Sequence, residues 1–148
     1  MLNKIIVPID GSEHAFKALD VATDVIDKAH GTLCLLHVVP SGSMPEGLEQ
    51  WAAIEHVVES PAWLYDQAVG QNMLETARRR ARDKACERLE DVVAHGDPAN
   101  EILKSARSMN ADAIVMGTRG LSTLKRLVIG SVAQKVLHHA ECTVIVVH

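Results

Sequence analysis

The residues of this chain best suited to chemistry are small ones. Two residues separate Gly117 from Gly120, nine more lead to Gly130, and Ser131 follows at once. The block comes after an apolar run, Asp112 to Met116, and opens a stretch with helical spacing. Glycines there let a backbone approach an anion closely, and the first amides of a helix, at its positive dipole end, stabilise negative charge. The chemistry predicted is phosphate binding, with Ser131 adding a hydroxyl donor. Spacing alone also fits an ordinary turn at Gly117 and Gly120 with an ordinary helix cap at Gly130. Lys125 and Arg126 lie in the intervening loop, facing either terminal phosphates or solvent.

A second group stands near the N-terminus, where KIIVPI is followed by Asp10-Gly11-Ser12. Asp10 is placed to accept a hydrogen bond from a base amine or a ribose, or else to serve as a turn or cap aspartate. Ligands of doubly wound sheets bind beyond the carboxyl ends of strands, where strand order reverses. Pro8 and Asp10 at one strand end, and Met116 with the glycine loop at another, would flank such a crevice if their strands are neighbours.

Other chemistries find little support. The motifs GxxxxGK[ST], GxSxG and GxGxxG are absent, so there is no P-loop lysine, nucleophile elbow or dinucleotide fingerprint. None of the eight His residues belongs to a HExxH pattern, and His138 and His139 should point in different directions on a helix. Cys34, Cys86 and Cys142 share no metal-like spacing and read as reduced core thiols. The run Arg78, Arg79, Arg80 and Arg82 suggests an anion patch. Glu75, Asp83, Glu87 and Glu90 interleave with it, however, and make a solvated helix face the better reading.

The elements that must position these residues alternate. Lys4 to Ile9 reads as a buried parallel strand, then Ser12 caps a helix carrying Ala15, Leu19, Ala22, Val25, Ile26 and Ala29, with Gly31 at its end. Thr32 to Val39 is a second strand, stopped by Pro40. The segment from Pro40 to about Gln71 holds both Trp51 and Trp63, and Ala52 to Val58 could form a short helix lidding one end of the sheet. From Asn72, the residues Leu74, Ala77, Ala81, Ala85 and Leu89 mark a long helix, followed by a short strand at about Asp91 to His95. Asp97 caps the next helix, with Pro98 at its first position, and Ala99, Ile102, Leu103 and Ala106 on its buried face. Asp112 to Met116 is a strand. A last helix carries Val132, Val136, Leu137 and Ala140, and Cys142 to Val147 is the closing strand.

This alternation predicts a single α/β domain over residues 1–148: a doubly wound, five-stranded parallel sheet with helices on both faces and right-handed crossovers. At 148 residues, 47% of them hydrophobic, the chain can bury one core without disulfides or metal. Its net charge of −4 and 3% aromatic content argue against a nucleic-acid partner. No apolar run reaches the roughly 20 residues of a membrane helix, and the start MLNKIIVPIDGSE has no cleavage-site pattern. A cytoplasmic protein without membrane insertion is expected.

The segments KIIVPIDGS, LLHVV, HGDPANEIL, DAIVMGTRG and GSVAQKVLHHAECTVIVVH together resemble the universal stress protein family along essentially the whole chain. The ATP-binding subgroup of that family carries G-x2-G-x9-G-[ST], matched here at Gly117, Gly120, Gly130 and Ser131. The resemblance implies an adenine nucleotide alpha hydrolase-like fold with strand order 3-2-1-4-5. It also implies ATP, or ADP or AMP, with or without Mg, at the switch point between the first and fourth strands. Asp10 and the Val38 backbone would hold adenine, Pro8 and Met116 would line the pocket, and Gly117 would lie near the ribose. Gly120, Gly130, Ser131 and Val132 would hold the phosphates. The Trp-containing insert matches no motif of the family.

The function expected is that of a nucleotide sensor in the stress response, signalling to a regulatory partner protein as nucleotide orders the Gly117 to Gly130 loop and the insert. No catalytic residues are assigned. A slow ATPase or phosphotransferase is the enzyme alternative, against which no water-positioning base other than Asp10 is evident. A nucleotide-free dimerisation module is the third reading, which the complete glycine pattern opposes. Cys142 to Val147 would be an unprotected apolar edge strand, and a second copy pairing antiparallel with it would cover it, as the dimers of the family also imply.

Overall fold

The computed structural model describes residues 1–40, 61–119 and 129–148, the stretch 61–67 by backbone alone. Among the described residues five strands and four helices alternate: β1 (Lys4–Pro8), α1 (Glu13–Val25), β2 (Thr32–Val39), α2 (Pro61–Asp83), β3 (Leu89–His95), α3 (Pro98–Ser108), β4 (Ala113–Gly117), α4 (Ser131–His139) and β5 (Thr143–Val147). The sheet order is β3-β2-β1-β4-β5, every neighbouring pair being parallel, as expected. The candidate lid helix Ala52 to Val58 lies outside the described residues.

The central strands are apolar on both faces because helices cover both. Ile5, Val7, Leu33, Leu35 and Val115 pack with Leu19 and Ala22 of α1 and Leu74, Ala77 and Ala81 of α2. Ile6, Cys34, Leu36, Ile114 and Met116 pack with Ile102 and Leu103 of α3 and Ala133 and Val136 of α4. Ser12 caps α1 and Asp97 caps α3, each with a side chain that accepts an amide of the first turn, as the sequence implied.

Several boundaries differ from expectation. α1 stops at Val25, and Ile26 instead bridges Leu2 beside β1. Gly31 is not a left-handed cap: a Cβ there would lie 2.5 Å from Ile26 Cγ1 and 2.6 Å from the Asp27 carbonyl, so close approach requires it. α2 takes in residues 61–71 of the supposed insert and ends at Asp83. Ala85 turns left-handed at φ +61°, so Leu89 begins β3 and does not extend the helix. On α4 the buried residues are Ala133 and Val136, while Leu137 is exposed. The rings of His138 and His139 meet edge-on at 5.2 Å.

The arginines of α2 are more than a solvated face. Arg80 donates twice to Asp20 of α1, at 2.8 and 2.6 Å, and lies over the Phe16 ring. Arg78 pairs with Asp91 of β3 at 2.6 Å. The Arg80 guanidinium holds the Asp20 carboxyl below its ordinary range. Cys34 and Cys86 are buried and Cys142 half-buried, all three as free thiols, and burial pushes the Cys34 thiol up to about 12.

Candidate functional site

β1 and β4 are adjacent, so strand order reverses between them, the point beyond whose carboxyl ends ligands of such sheets bind. Ile5 pairs with Ala113 and Ile6 with Ile114, and Pro8 and Met116 each lie two residues beyond that last pair. Pro8 pairs with Leu36, two residues short of Val38. Side chains alternate along strands. Met116 therefore joins the cluster on the α3/α4 face, and Val38 and Val132 pack against that cluster. Three expected site residues from three separate elements thus belong to one apolar cluster.

Asp10 forms a turn. Its Oδ1 accepts the Ser12 N–H at 2.9 Å, and Gly11 between them takes φ +83°, a left-handed conformation that favours glycine. Ser12 Oγ in turn accepts the Ala15 N–H at 3.2 Å and starts α1. The turn reading of Asp10 is thus observed, and it engages one carboxylate oxygen.

Gly117 ends β4 against the first turn of α1. A Cβ there would lie 2.6 Å from His14 Cβ and 2.8 Å from the His14 carbonyl carbon, so helix and strand pack this closely only over glycine. Thr118, 3% exposed, ties the next three parts together. Its N–H donates to the Val147 carbonyl of β5 at 2.8 Å, and its own carbonyl accepts the Gly130 N–H at 2.7 Å. Thr118 and Gly130 are thereby joined. Gly120, Lys125 and Arg126, between them in sequence, lie outside the described residues.

Gly130 is the N-cap of α4, with φ −64°, ψ 159° and no side-chain capping bond. Unlike α1 and α3, α4 thus has no N-cap side chain to accept its leading amides, those of Ser131 and Val132 among them. Lys135, one turn further on, lies 3.2 Å from Asp97 Oδ2 at the start of α3. The Asn100 N–H, and after it Lys135, hold the Asp97 carboxyl below its ordinary range. Among the described residues no group of three His, Cys, Asp or Glu side chains is arranged to hold a metal.

Sequence reasoning missed His14 and Thr118. Each acts through its backbone or burial, which residue type does not reveal, although Thr118 lies inside the Gly117–Gly120 block.

The model of the universal stress protein family matches residues 1–148. The chain is 34% identical to universal stress protein YxiE of Bacillus subtilis over 153 aligned positions, covering 99% of both chains. Among solved structures it resembles hypothetical protein MJ0577, with a TM-score of 0.77 and 28% identity over 99% of this chain and 96% of that one. A universal stress protein family protein of Arabidopsis thaliana, solved with AMP bound, shares the fold at a TM-score of 0.67 and 22% identity, over 98% of this chain and 90% of that one. With the family match running from the first residue to the last, and with the sheet order and switch point in place, the chain belongs to the universal stress protein family.

Proposed function

We propose that this protein binds an adenine nucleotide, ATP in the first place, in the crevice between β1 and β4, and signals its presence to a regulatory partner in the stress response. The observation that carries the reading is the start of α4 at Gly130, which has no side-chain capping bond, on a helix whose Val132 packs against the same cluster as Val38 and Met116. Adenine would lie over Pro8, Val38 and Met116 with its edge toward Asp10 and the Val38 backbone, and the ribose near Gly117. Gly120, Gly130, Ser131 and Val132 would hold the phosphates, whose oxygens and water would carry any Mg2+. The AMP bound by the Arabidopsis protein of the same fold supports the ligand class.

The expected output is a change, on nucleotide binding, in the surface shown to that partner. The protein would act in the cytoplasm; among the described residues no helix is long and apolar enough to cross a membrane. A homodimer through the Cys142–Val147 edge would present two such surfaces. Mass spectrometry of small molecules released by denaturing the purified protein, with calorimetry against ATP, ADP and AMP, tests the reading. Recovered or bound adenine nucleotide is expected. Protein that releases none and binds none would overturn it.

A further inference from the structure

The β1–β2 ladder ends in an unusual way. Ile9 N–H donates to the Leu36 carbonyl at 2.8 Å, so the peptide groups of Leu36 face β1. With a repeat of two along the strand, those of Val38 face the same way, while Val39, one residue on, turns its carbonyl to Gly96 N–H beyond β3. In a parallel ladder the next acceptor for Val38 N–H is the Ile9 carbonyl. That carbonyl instead takes the His37 ring: Nδ1 lies 2.7 Å from it, and facing a carbonyl oxygen it must be the donor.

His37 is 6% exposed and is held from behind by α2. A Cβ at Gly70 would lie 3.3 Å from His37 Cδ2 and 3.3 Å from Val93 Cγ2, so the helix backbone there packs tightly on both side chains. The ring thus occupies the α1/α2 side of the sheet, opposite the cluster of Val38 and Met116.

We propose that His37 is a positioning residue that ends the β1–β2 ladder by claiming the Ile9 carbonyl, and so keeps the Val38 peptide open to the edge of a purine base. This rests on the nucleotide reading above.

The test uses the full chain and the substitutions His37→Leu and His37→Asn, the latter placing an amide donor where Nδ1 stood. Hydrogen exchange at the Val38 amide is followed by NMR without nucleotide, and affinities for ATP and for inorganic tripolyphosphate are measured by calorimetry. His37→Leu should slow Val38 exchange, weaken ATP by about tenfold and leave tripolyphosphate unchanged, as loss of one base-side hydrogen bond requires. His37→Asn should restore both properties. A folded His37→Leu protein with wild-type exchange and wild-type ATP affinity overturns the proposal, as does equal loss of both ligands. Should His37→Leu fail to fold, His37→Gln replaces it, since its amide reaches past the Nδ1 position; equal ATP affinity for the Asn and Gln forms then overturns the role. Wild-type protein that binds no adenine nucleotide overturns the nucleotide reading itself, a result distinct from an unaltered variant.

Discussion

At Gly117 and Gly130 one residue type answers to two different neighbours. Gly117 is hemmed in by the backbone of α1 at His14, whereas the space beside Gly130 is limited by one carbonyl, that of Thr118, 3.1 Å from a built Cβ. Gly117→Ala should therefore cost about 2 kcal/mol through overpacking. Gly130→Ala should cost about 1 kcal/mol, chiefly as a poorer N-cap. Urea unfolding compares the two, and equal losses would mean that α1 yields freely at His14. A branched residue at position 130 would press on Thr118 as well as on an incoming anion, so alanine is the cleaner probe of the loop. Asp10 needs the same care, because alanine there also removes the acceptor of the Ser12 N–H. Asp10→Asn keeps that acceptor and should weaken ATP by about tenfold while sparing tripolyphosphate. Equal calorimetric losses for the two ligands would move Asp10 to the phosphate side or to a purely structural role.

Among the elements, α2 ends under strain. Its last turn passes into Ala85 at φ +61°, closed by Cys86 N–H donating to the Ala81 carbonyl at 3.1 Å, with Lys28 Nζ on the Lys84 carbonyl at 2.8 Å. This is the place of a left-handed helix cap, where a residue with a Cβ is disfavoured by about 1 kcal/mol against glycine. Ala85→Gly should accordingly raise stability by about 1 kcal/mol, less whatever the more flexible unfolded chain takes back. A thermal melt that moves downward would show that Ala85 makes contacts worth more than its conformation costs.

For the whole molecule the open question is the sheet edge. Thr143 N–H donates to the Asp112 carbonyl at 3.2 Å and Thr118 N–H to the Val147 carbonyl at 2.8 Å. Residues 143, 145 and 147 therefore turn their peptide groups toward β4, and Val144 and Val146 turn theirs to the outer edge. If two copies pair there, Val146→Pro removes an outward donor without breaking the internal ladder. Sedimentation at micromolar concentration should find a dimer for the wild type and a folded monomer for the variant. A wild type that runs as a clean monomer would refute the pairing.

Periodicity and punctuation made the order of elements legible in the sequence. A parallel sheet buried on both faces needs runs such as IIV and TLCLLHVV, and the caps Ser12 and Asp97 are local contacts, complete within four residues. Local signals failed where distant chain segments compete. Leu89 continues the helical pattern of α2, yet parallel pairing with Leu33 draws it into β3. Arg80 reads as a surface charge until α1 brings Asp20 beside it. Only the tertiary structure could show that Gly117 is demanded by His14, that Thr118 joins β5 to the start of α4, and that His37 reaches the Ile9 carbonyl. Each of these depends on how closely two elements approach in space, a distance that no spacing along the chain encodes.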